Sequence, residues 1–447
     1  MSKSVALLLV LVFLTASCVI SAKPALSSTD AAEDSWASKA PVPRSVWGVA
    51  AANGKIYAFA RNVTYEYDPI TNVWATKNPL PSNMYGSALV VYQNKIYAIG
   101  EGNGTTQVYD PATDTWENKT PIPTPRTQLE ANVVNGKIYL IGGRTGGQYS
   151  TVGLNEVYDL ETDSWTTKAP IPYPVVQYAS AVVDNKIYII GGQDEFTYPM
   201  NLAVVQIYDP ATDTWSFGTP MPKIVWRAAA GATSGIWAPK RIYVIGGLPE
   251  KSLFGTDLNQ VYDPANDSWT FGTPMPIARF NLKVAVINDT LYIMGGAPYF
   301  NLSGIWCPEN EQYTPIGYGT VPPAVAVVSP ESKTYDASSV SLVLTVNKPV
   351  VWMGYSLDGQ DNVTITSNTT LSGLSNGLHN VTVYARDEFE NTGASETITF
   401  SVETPFPTTW IIAAAAIAIT GGSAFAIYYF KKPKRNSNNN QHNQTKP

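Results

Sequence analysis

The stretch QVYDPATDTW, residues 107–116, decides the fold of this chain. It returns as EVYDLETDSW at 156–165, QIYDPATDTW at 206–215 and QVYDPANDSW at 260–269, and in a more divergent form as YEYDPITNVW at 65–74. Repetition at a period of about forty to fifty residues is typical of one supersecondary unit used many times. The fold is therefore predicted repeat by repeat.

Each repeat has the pattern of four short antiparallel strands. In the third repeat, segments 127–134 and 137–141 flank Asn135-Gly136, a two-residue hairpin signal. Two further strand segments follow, and the second of them starts near Trp165. A sheet of this kind cannot bury both faces alone, whereas copies stacked radially cover one another. The sequence therefore predicts an all-β chain built around a β-propeller.

The repeat resembles the kelch repeat. The resemblance covers residues 34–313 and depends on an Ile-Tyr-x-(Ile/Val/Met)-Gly-Gly element, a Tyr-Asp element and a downstream Trp. The double glycine is complete in four repeats, at Gly142-Gly143, Gly191-Gly192, Gly246-Gly247 and Gly295-Gly296. The first repeat has Ala60-Arg61 at this place and the second has Gly100-Glu101.

Counting the repeated residues predicts six blades. The second-strand Tyr occurs six times, at Tyr57, Tyr97, Tyr139, Tyr188, Tyr243 and Tyr292. The Trp series is displaced, because Trp36 precedes the first repeat and no Trp follows Tyr313 where the fourth strand of the last repeat is due. We therefore expect residues 35–39 to supply the fourth strand of the last blade. This strand would close a six-bladed propeller over residues 32–318 and cover an open sheet edge.

The repeated Tyr, Trp and Asp are interpreted as structural residues, which pack between blades and start turns. The chain has two histidines, His379 and His442, and both lie outside the propeller. Histidine-ligated metal sites and Ser-His or Cys-His catalysis are thereby excluded in the propeller, which argues against the copper oxidases that share kelch propellers. No phosphate-binding glycine loop is present, and no cofactor or metal is expected. A carboxylate-based mechanism stays open.

A second all-β unit is predicted after the propeller. Residues 322–403 alternate in strand fashion between Gly, Asn and Asp turns, which indicates a β-sandwich. The runs VVWMGYSLDG and GLHNVTVYARDEFENTG resemble the immunoglobulin-like spacer domains of prokaryotic, particularly archaeal, cell-envelope proteins. The resemblance implies a spacer that holds the propeller away from a bilayer. Residues 404–409 form a Pro-rich linker.

Both ends of the chain predict an external, membrane-anchored protein. Residues 1–22 have the pattern of a secretory signal peptide, and residues 410–430 carry no charge and could form a transmembrane helix. The basic, Asn/Gln-rich tail 431–447 is expected in the cytoplasm, with the ectodomain outside a cell membrane crossed once. Six of the 29 basic side chains lie in these two ends, so 23 basic groups face 35 acidic groups in the remainder. An acidic exterior disfavours nucleic acid as a partner.

The cysteines and sequons agree with this location. Cys18 lies in the predicted signal and leaves Cys307 alone, so no intrachain disulfide is expected in the mature protein. Candidate N-glycosylation sites all lie on the predicted outside, at Asn62, Asn103, Asn118, Asn266, Asn288, Asn301, Asn362, Asn368 and Asn380.

Two sets of residues are candidates for a ligand-binding face. The loops between second and third strands are long in repeats three to six and carry exposed-type aromatics, among them Tyr149, Phe196, Tyr198, Phe254, Tyr299 and Trp306. Four arginines stand shortly before first strands: Arg44, Arg126, Arg227 and Arg279. If they converge at one mouth of the channel, they could hold a carboxylate or an acidic sugar. The alternative is that they satisfy loop carbonyls and pair with neighbouring acids.

The favoured hypothesis is a non-enzymatic interaction module that binds a glycan, polymer or protein at the cell surface. Kelch propellers that resemble this one include isomerases acting on sialic acid, so a carbohydrate-active enzyme with an arginine-lined mouth is the first alternative. A purely structural envelope component is the second. Fold alone does not choose among them.

Overall fold

The computed structural model describes residues 32–60, 63–81, 88–100, 104–146, 150–195, 201–299 and 306–405. Every regular element assigned in these ranges is a β-strand. None of them contains a helix that could cross a membrane. The predicted signal peptide, the predicted transmembrane helix 410–430 and the tail lie outside the described residues.

Six four-stranded antiparallel sheets make up the N-terminal part of the structure. A single strand, β1 (Ser35–Lys39), comes first and belongs to the sixth sheet. The first four sheets are β2 (Gly48–Ala52), β3 (Lys55–Ala60), β4 (Val63–Asp68) and β5 (Val73–Lys77); β6 (Ala88–Tyr92), β7 (Lys95–Ile99), β8 (Thr106–Asp110) and β9 (Thr115–Lys119); β10 (Ala131–Val134), β11 (Lys137–Ile141), β12 (Asn155–Asp159) and β13 (Ser164–Thr167); β14 (Ala179–Val183), β15 (Lys186–Ile190), β16 (Val205–Asp209) and β17 (Thr214–Gly218).

The fifth repeat contains a four-stranded sheet and a separate two-stranded ribbon. The strands of the sheet are β19 (Ala229–Ala232), β20 (Ile242–Ile245), β22 (Asn259–Asp263) and β23 (Ser268–Phe271), and the ribbon pairs β18 (Val225–Trp226) with β21 (Leu248–Pro249). The sixth sheet is β24 (Lys283–Ile287), β25 (Thr290–Met294), β26 (Asn310–Thr314) and β1. The first strands β2, β6, β10, β14, β19 and β24 contact one another in this order, and β24 also contacts β2. The first strands therefore follow one another in a ring.

The N-terminal strand β1 completes the sixth sheet. It lies antiparallel to β26, with Trp36 opposite Tyr313 and the two ring centroids 4.8 Å apart. Asp34 Oδ1 accepts a hydrogen bond from the Tyr313 hydroxyl at 2.6 Å. The last repeat has its own Tyr313, and its Asp and Trp are supplied by Asp34 and Trp36 at the start of the described chain. The pairing gives β26 a neighbour on its outer edge.

The repeated Tyr, Asp and Trp join neighbouring sheets in one pattern. In the fourth sheet, Asp213 Oδ1 accepts hydrogen bonds from the Tyr208 hydroxyl at 2.6 Å and from the backbone N–H of Ala169 in the third sheet at 2.9 Å. Trp215 Nε1 donates to the carbonyl oxygen of the same Ala169. Equivalent acceptors occur at Asp34, Asn72, Asp114, Asp163 and Asp267. At each junction between neighbouring sheets, the backbone N–H of one residue therefore donates to a carboxylate or amide oxygen, and the C=O of the same residue accepts from an indole.

These contacts are buried because the second and third strands carry apolar or aromatic residues on both faces. Each first-to-second hairpin packs against the next sheet, and the third-strand tyrosines have almost no exposed surface. Each of these aspartates accepts a hydrogen bond from a tyrosine hydroxyl, and this bond lowers the pKa of the aspartate. The pairs are Asp163 with Tyr158, Asp213 with Tyr208 and Asp267 with Tyr262. The aspartates therefore remain ionised at neutral pH and strengthen the hydrogen bonds.

The C-terminal part has two sheets around a separate core. One contains β27 (Val325–Ser329), β29 (Ser339–Val346) and β32 (Thr369–Ser372). The other contains β28 (Thr334–Tyr335), β30 (Trp352–Leu357), β31 (Val363–Ile365), β33 (Gly377–Arg386), β34 (Thr392–Ala394) and β35 (Ile398–Val402). Alternating side chains of both sheets, such as Leu342 and Val383, are buried in that core.

An enlarged turn of the fifth sheet contacts this second part. Residues 234–239 lie between β19 and β20, and the Asp289 carboxylate accepts backbone N–H groups of Ser234, Ile236, Trp237 and Ala238 at 2.5–3.2 Å. The Trp237 ring stacks on Tyr318 with centroids 6.4 Å apart and meets the edge of Phe389 at 6.4 Å. The junction lies at the turn end of the sheets, where first strands join second strands. The opposite end, where first strands begin, is called the entry end.

Candidate binding site at the entry end

The first strand of the third repeat begins later than the sequence predicts, and the reason defines the site. Residues 127–134 are expected as one strand, whereas β10 begins at Ala131 because Gln128 has a φ of +59°. Gln177, Arg227 and Asn281 occupy the same position of their repeats, with φ of +54°, +55° and +54°. Left-handed backbone is uncommon for residues other than glycine and interrupts an extended strand. Four of the repeats therefore have the same bend immediately before the first strand.

The bends are linked to one another through the backbone. The N–H of Gln177 donates to the carbonyl of Gln128 at 2.9 Å, that of Arg227 to the carbonyl of Gln177 at 3.0 Å, and that of Asn281 to the carbonyl of Arg227 at 2.9 Å. The hydrogen bonds run from sheet to sheet around the entry end. They hold four polar side chains in fixed places around one opening.

A cavity of about 510 Å³ occupies this opening, which we call the mouth cavity. The four bend residues line it together with Trp47 and Trp306. Amide groups offer both donors and acceptors, and indole rings offer flat apolar surface beside them. A few convergent polar groups with aromatic walls are the usual composition of a ligand pocket.

Arg227 is the bend residue that carries a charge. Its guanidinium carbon lies 4.5 Å from the Trp226 ring centroid and 6.0 Å from that of Phe280. Burial, and secondarily the nearby Arg144 cation, lower the pKa of Arg227 to about 10. The side chain is still a cation at neutral pH. Arg144 itself forms an ion pair with Glu195.

Three of the four candidate arginines do not line the mouth cavity, which corrects the expectation that all four converge there. Two of these three are buried. The Arg126 and Arg279 side chains have no exposed surface. Arg126 Nη1 lies 2.6 Å from Glu156 Oε2, and Arg279 pairs with Glu311 in the same way. Burial lowers the pKa of Arg126 because it removes water from the charged guanidinium group. The negative charge of Glu156 acts in the opposite direction. Both arginines are structural cations inside their own sheets.

Arg44 is exposed and lies outside the lining of the mouth cavity. Arg44 corresponds in repeat position to Arg126, but the residue that corresponds to Glu156 in the first repeat is Tyr65. No carboxylate therefore stands at the place where a buried arginine would need one. Of the four arginines, Arg227 alone is brought to the mouth cavity.

The aromatic candidates divide in a similar way. Trp306 lines the mouth cavity. Phe254 and Tyr299 contact each other edge to face at 5.3 Å and are 60% and 41% exposed, on two neighbouring loops beside the cavity. Tyr149, Phe196 and Tyr198 lie outside the described residues. Sequence reasoning missed Gln128, Gln177 and Asn281. They share their repeat position with Arg227, because all four lie five residues after the proline of an Ile-Pro or Met-Pro pair at Pro123, Pro172, Pro222 and Pro276.

The remaining candidates are surface features. Asn118, Asn266, Asn288, Asn362, Asn368 and Asn380 are exposed, while Asn62, Asn103 and Asn301 fall outside the described ranges. In the part of the chain that the structure describes, no group of three or more His, Cys, Asp or Glu side chains could hold a metal ion. Burial raises the pKa of the Cys307 thiol, so this cysteine is a neutral, buried side chain.

Comparison with known proteins agrees with the repeat. The KLHDC2/KLHL20/DRC7 kelch-repeats domain matches residues 104–296. Halomucin of Haloquadratum walsbyi is 37% identical over 106 residues, which are 22% of this chain and 1% of that protein. Kelch-like protein terF of Aspergillus terreus is 38% identical over 68 residues, 14% of this chain and 15% of that protein. Kelch-like protein 35 of Mus musculus is 36% identical over 56 residues, 12% of this chain and 10% of that protein.

Among solved structures, that of YjhT is similar, with a TM-score of 0.51 and 16% identity over 60% of this chain and 95% of that one. Similarity at this identity shows a propeller-type fold and nothing about activity. This chain spans between 1% and 15% of the length of the three curated relatives named above. Kelch repeats are typical of protein-interaction modules. The sheets, their repeated Tyr, Asp and Trp contacts and these similarities together show that the chain contains a kelch-repeat domain.

Proposed function

We propose that the six sheets are the blades of one closed propeller, and that this propeller binds a glycan carrying an acidic sugar through its mouth cavity at the cell surface. One observation carries the proposal. A cation, Arg227, lines a cavity of about 510 Å³ whose other bend residues are amides and whose wall includes Trp306.

The chemistry of these groups suits an acidic sugar. A guanidinium group binds a carboxylate with two parallel hydrogen bonds, and Gln and Asn amides can bond neighbouring hydroxyls as both donor and acceptor. The indole of Trp306 offers an apolar face to the ring C–H groups. Because Arg227 is stacked between Trp226 and Phe280, little side-chain entropy remains to be lost on binding.

The position of the second unit supports display. The Trp237 junction lies at the turn end of the sheets, so the mouth cavity opens on the other side of the propeller. We propose that residues 322–403 act as an immunoglobulin-like spacer and that residues 410–430 anchor the protein in a membrane. The mouth cavity would then face away from the bilayer, towards external ligands.

The test measures binding of uronic-acid-containing oligosaccharides and their neutral counterparts to the full-length chain by titration calorimetry, after a glycan-array screen. Arg227→Gln is the informative variant, because Gln177 and Gln128 adopt the same backbone conformation at the same repeat position. We expect it to weaken binding of the acidic ligand about tenfold or more, as loss of a charge-assisted pair does. Arg44→Gln removes an exposed arginine outside the cavity and should leave binding unchanged.

Three results would contradict the proposal. If Arg227→Gln and Arg44→Gln weakened binding of the acidic ligand equally, the cause would be the overall charge of the protein rather than a contact in the cavity. Conversion of the sugar by the wild-type chain would identify a carbohydrate-active enzyme instead. Binding of a protein without any glycan would leave the kelch domain as a protein-interaction module of another kind.

A further inference from the structure

An ion pair crosses the channel below the mouth cavity. Lys283 Nζ lies 3.8 Å from Glu130 Oε1. The two residues occupy the same position of the sixth and third repeats, and β24 and β10 lie three places apart in the ring of first strands. The pair therefore connects opposite sides of the ring.

The other sheets carry small residues at this position. They are Gly48, Ala88, Ala179 and Ala229. A ring of glycine and alanine alone would leave the channel open at this level. Glu130 and Lys283 are long enough to fill it, and they carry opposite charges.

The pair lines two cavities. Glu130 and Lys283 line both the mouth cavity and an inner cavity of about 160 Å³, whose other walls include Ala131, Ala179 and Ser180. The Glu130 and Lys283 side chains are 43% and 32% exposed, so the pair is partly solvated. Ion pairs in such a setting contribute little to stability.

We propose that the Glu130–Lys283 ion pair is the floor of the mouth cavity and that its internal neutralisation leaves the charge selectivity of the cavity to Arg227. This inference rests on the proposed function. With both partners present the floor is neutral overall, and the Arg227 cation decides which ligand charge is accepted. Removal of one partner leaves the other as an uncompensated charge next to the bound ligand.

The test compares two monosaccharide probes of opposite charge, D-glucuronate and D-glucosamine, with the full-length chain. In Lys283→Gln, the remaining Glu130 carboxylate should lower the ratio of glucuronate to glucosamine affinity about fivefold, as expected for one charge a few ångströms away in partly solvated surroundings. Glu130→Gln should raise the ratio by a similar factor. The double variant should return close to the wild-type ratio, because no uncompensated charge remains.

A separate measurement tests the contact without a ligand. In a Glu130→Cys, Lys283→Cys variant, a short bismaleimide should join the two thiols, whereas Glu130→Cys with Arg44→Cys should not be joined. Absence of the first cross-link in a folded chain would overturn the proposal. So would an unchanged affinity ratio in both single variants, and in that case glucuronate binding that depends on Arg227 would leave the proposed function standing. Failure of the wild type to bind either probe would overturn both.

Discussion

Asp34 is the residue on which closure of the ring of sheets depends most directly. Its carboxylate accepts hydrogen bonds from the Tyr313 hydroxyl and from the backbone N–H of Thr273, both at 2.6 Å. Tyr313 lies in β26 of the sixth sheet, and Thr273 follows β23 of the fifth sheet. Asp34→Ala removes both bonds and leaves the hydroxyl of Tyr313, a fully buried residue, without this acceptor.

The expected loss is about 2–3 kcal/mol in the free energy of unfolding. Hydrogen bonds to a charged group contribute about 1.5–3 kcal/mol each, and the lower end applies here because Asp34 is partly exposed. The assay is urea unfolding of the full-length chain followed by circular dichroism. Hydrogen exchange read by mass spectrometry then shows whether β26 loses protection first.

Two variants are matched controls. Asp213→Ala removes the same two kinds of hydrogen bond at an internal junction, at 2.6 and 2.9 Å, and should cost a similar amount. Asp34→Asn should cost less than about 1 kcal/mol, because Asn72 accepts the equivalent bonds in the first repeat through its amide oxygen. If Asp34→Ala stayed within about 0.5 kcal/mol of the wild type while Asp213→Ala lost the full amount, the closing strand would add nothing to stability and our reasoning would be refuted.

Further predictions concern buried charge, the junction and pH. Glu156→Ala leaves the Arg126 cation buried without its partner and should cost about 3–5 kcal/mol in urea unfolding. Trp237→Ala removes the stacked ring from the junction between the two parts and should lower the free energy of unfolding by about 2–3 kcal/mol. This is less than for a fully buried tryptophan, because Trp237 is only partly buried. Small-angle scattering of this variant should show a wider range of relative domain positions. The hydrogen bond of His379 to the Ser375 carbonyl is the first cause of a raised pKa, so protonated His379 stabilises the fold below about pH 6.5 and this contribution is lost as the pH rises through the raised pKa. As the pH rises from below 6.5 through the raised pKa of His379, the urea midpoint of unfolding should fall in the wild type. It should stay constant in a His379→Gln variant.

The repeated framework is predictable from the sequence because the same residues must solve the same packing problem in every sheet. The count of Tyr and Trp places Trp36 beside Tyr313, and these residues face each other across β1 and β26. The start of the first strands is not predictable in this way. Gln128 is an ordinary strand residue by composition, and its left-handed φ comes from the hydrogen bond that its carbonyl accepts from the next sheet.

The arginines show why residue type and position near a proline do not identify a site. Arg126 and Arg279 occupy a repeat position whose third-strand neighbour is Glu156 or Glu311. In the fourth and fifth sheets, the arginine is replaced by Val175 or Val225 and the glutamate by Gln206 or Gln260, which bond nearby backbone instead. The two positions change together because a buried cation requires a buried carboxylate. Alignment of the repeats would reveal this pairing, whereas inspection of one repeat does not.

Arg227 lies two positions later than these buried arginines, and that difference explains why the mouth can serve binding. The Tyr, Asp and Trp contacts that join the sheets lie at the turn end, where the repeats carry nearly the same residues. At the bend position the repeats differ, with Gln128, Gln177, Arg227 and Asn281. The bend itself is held by backbone hydrogen bonds, which any of these side chains permits. Stability therefore places little constraint on the side chains at the mouth, and our proposal assigns this freedom to ligand binding by Arg227, whose guanidinium lies 4.5 Å from the Trp226 ring centroid and 6.0 Å from that of Phe280.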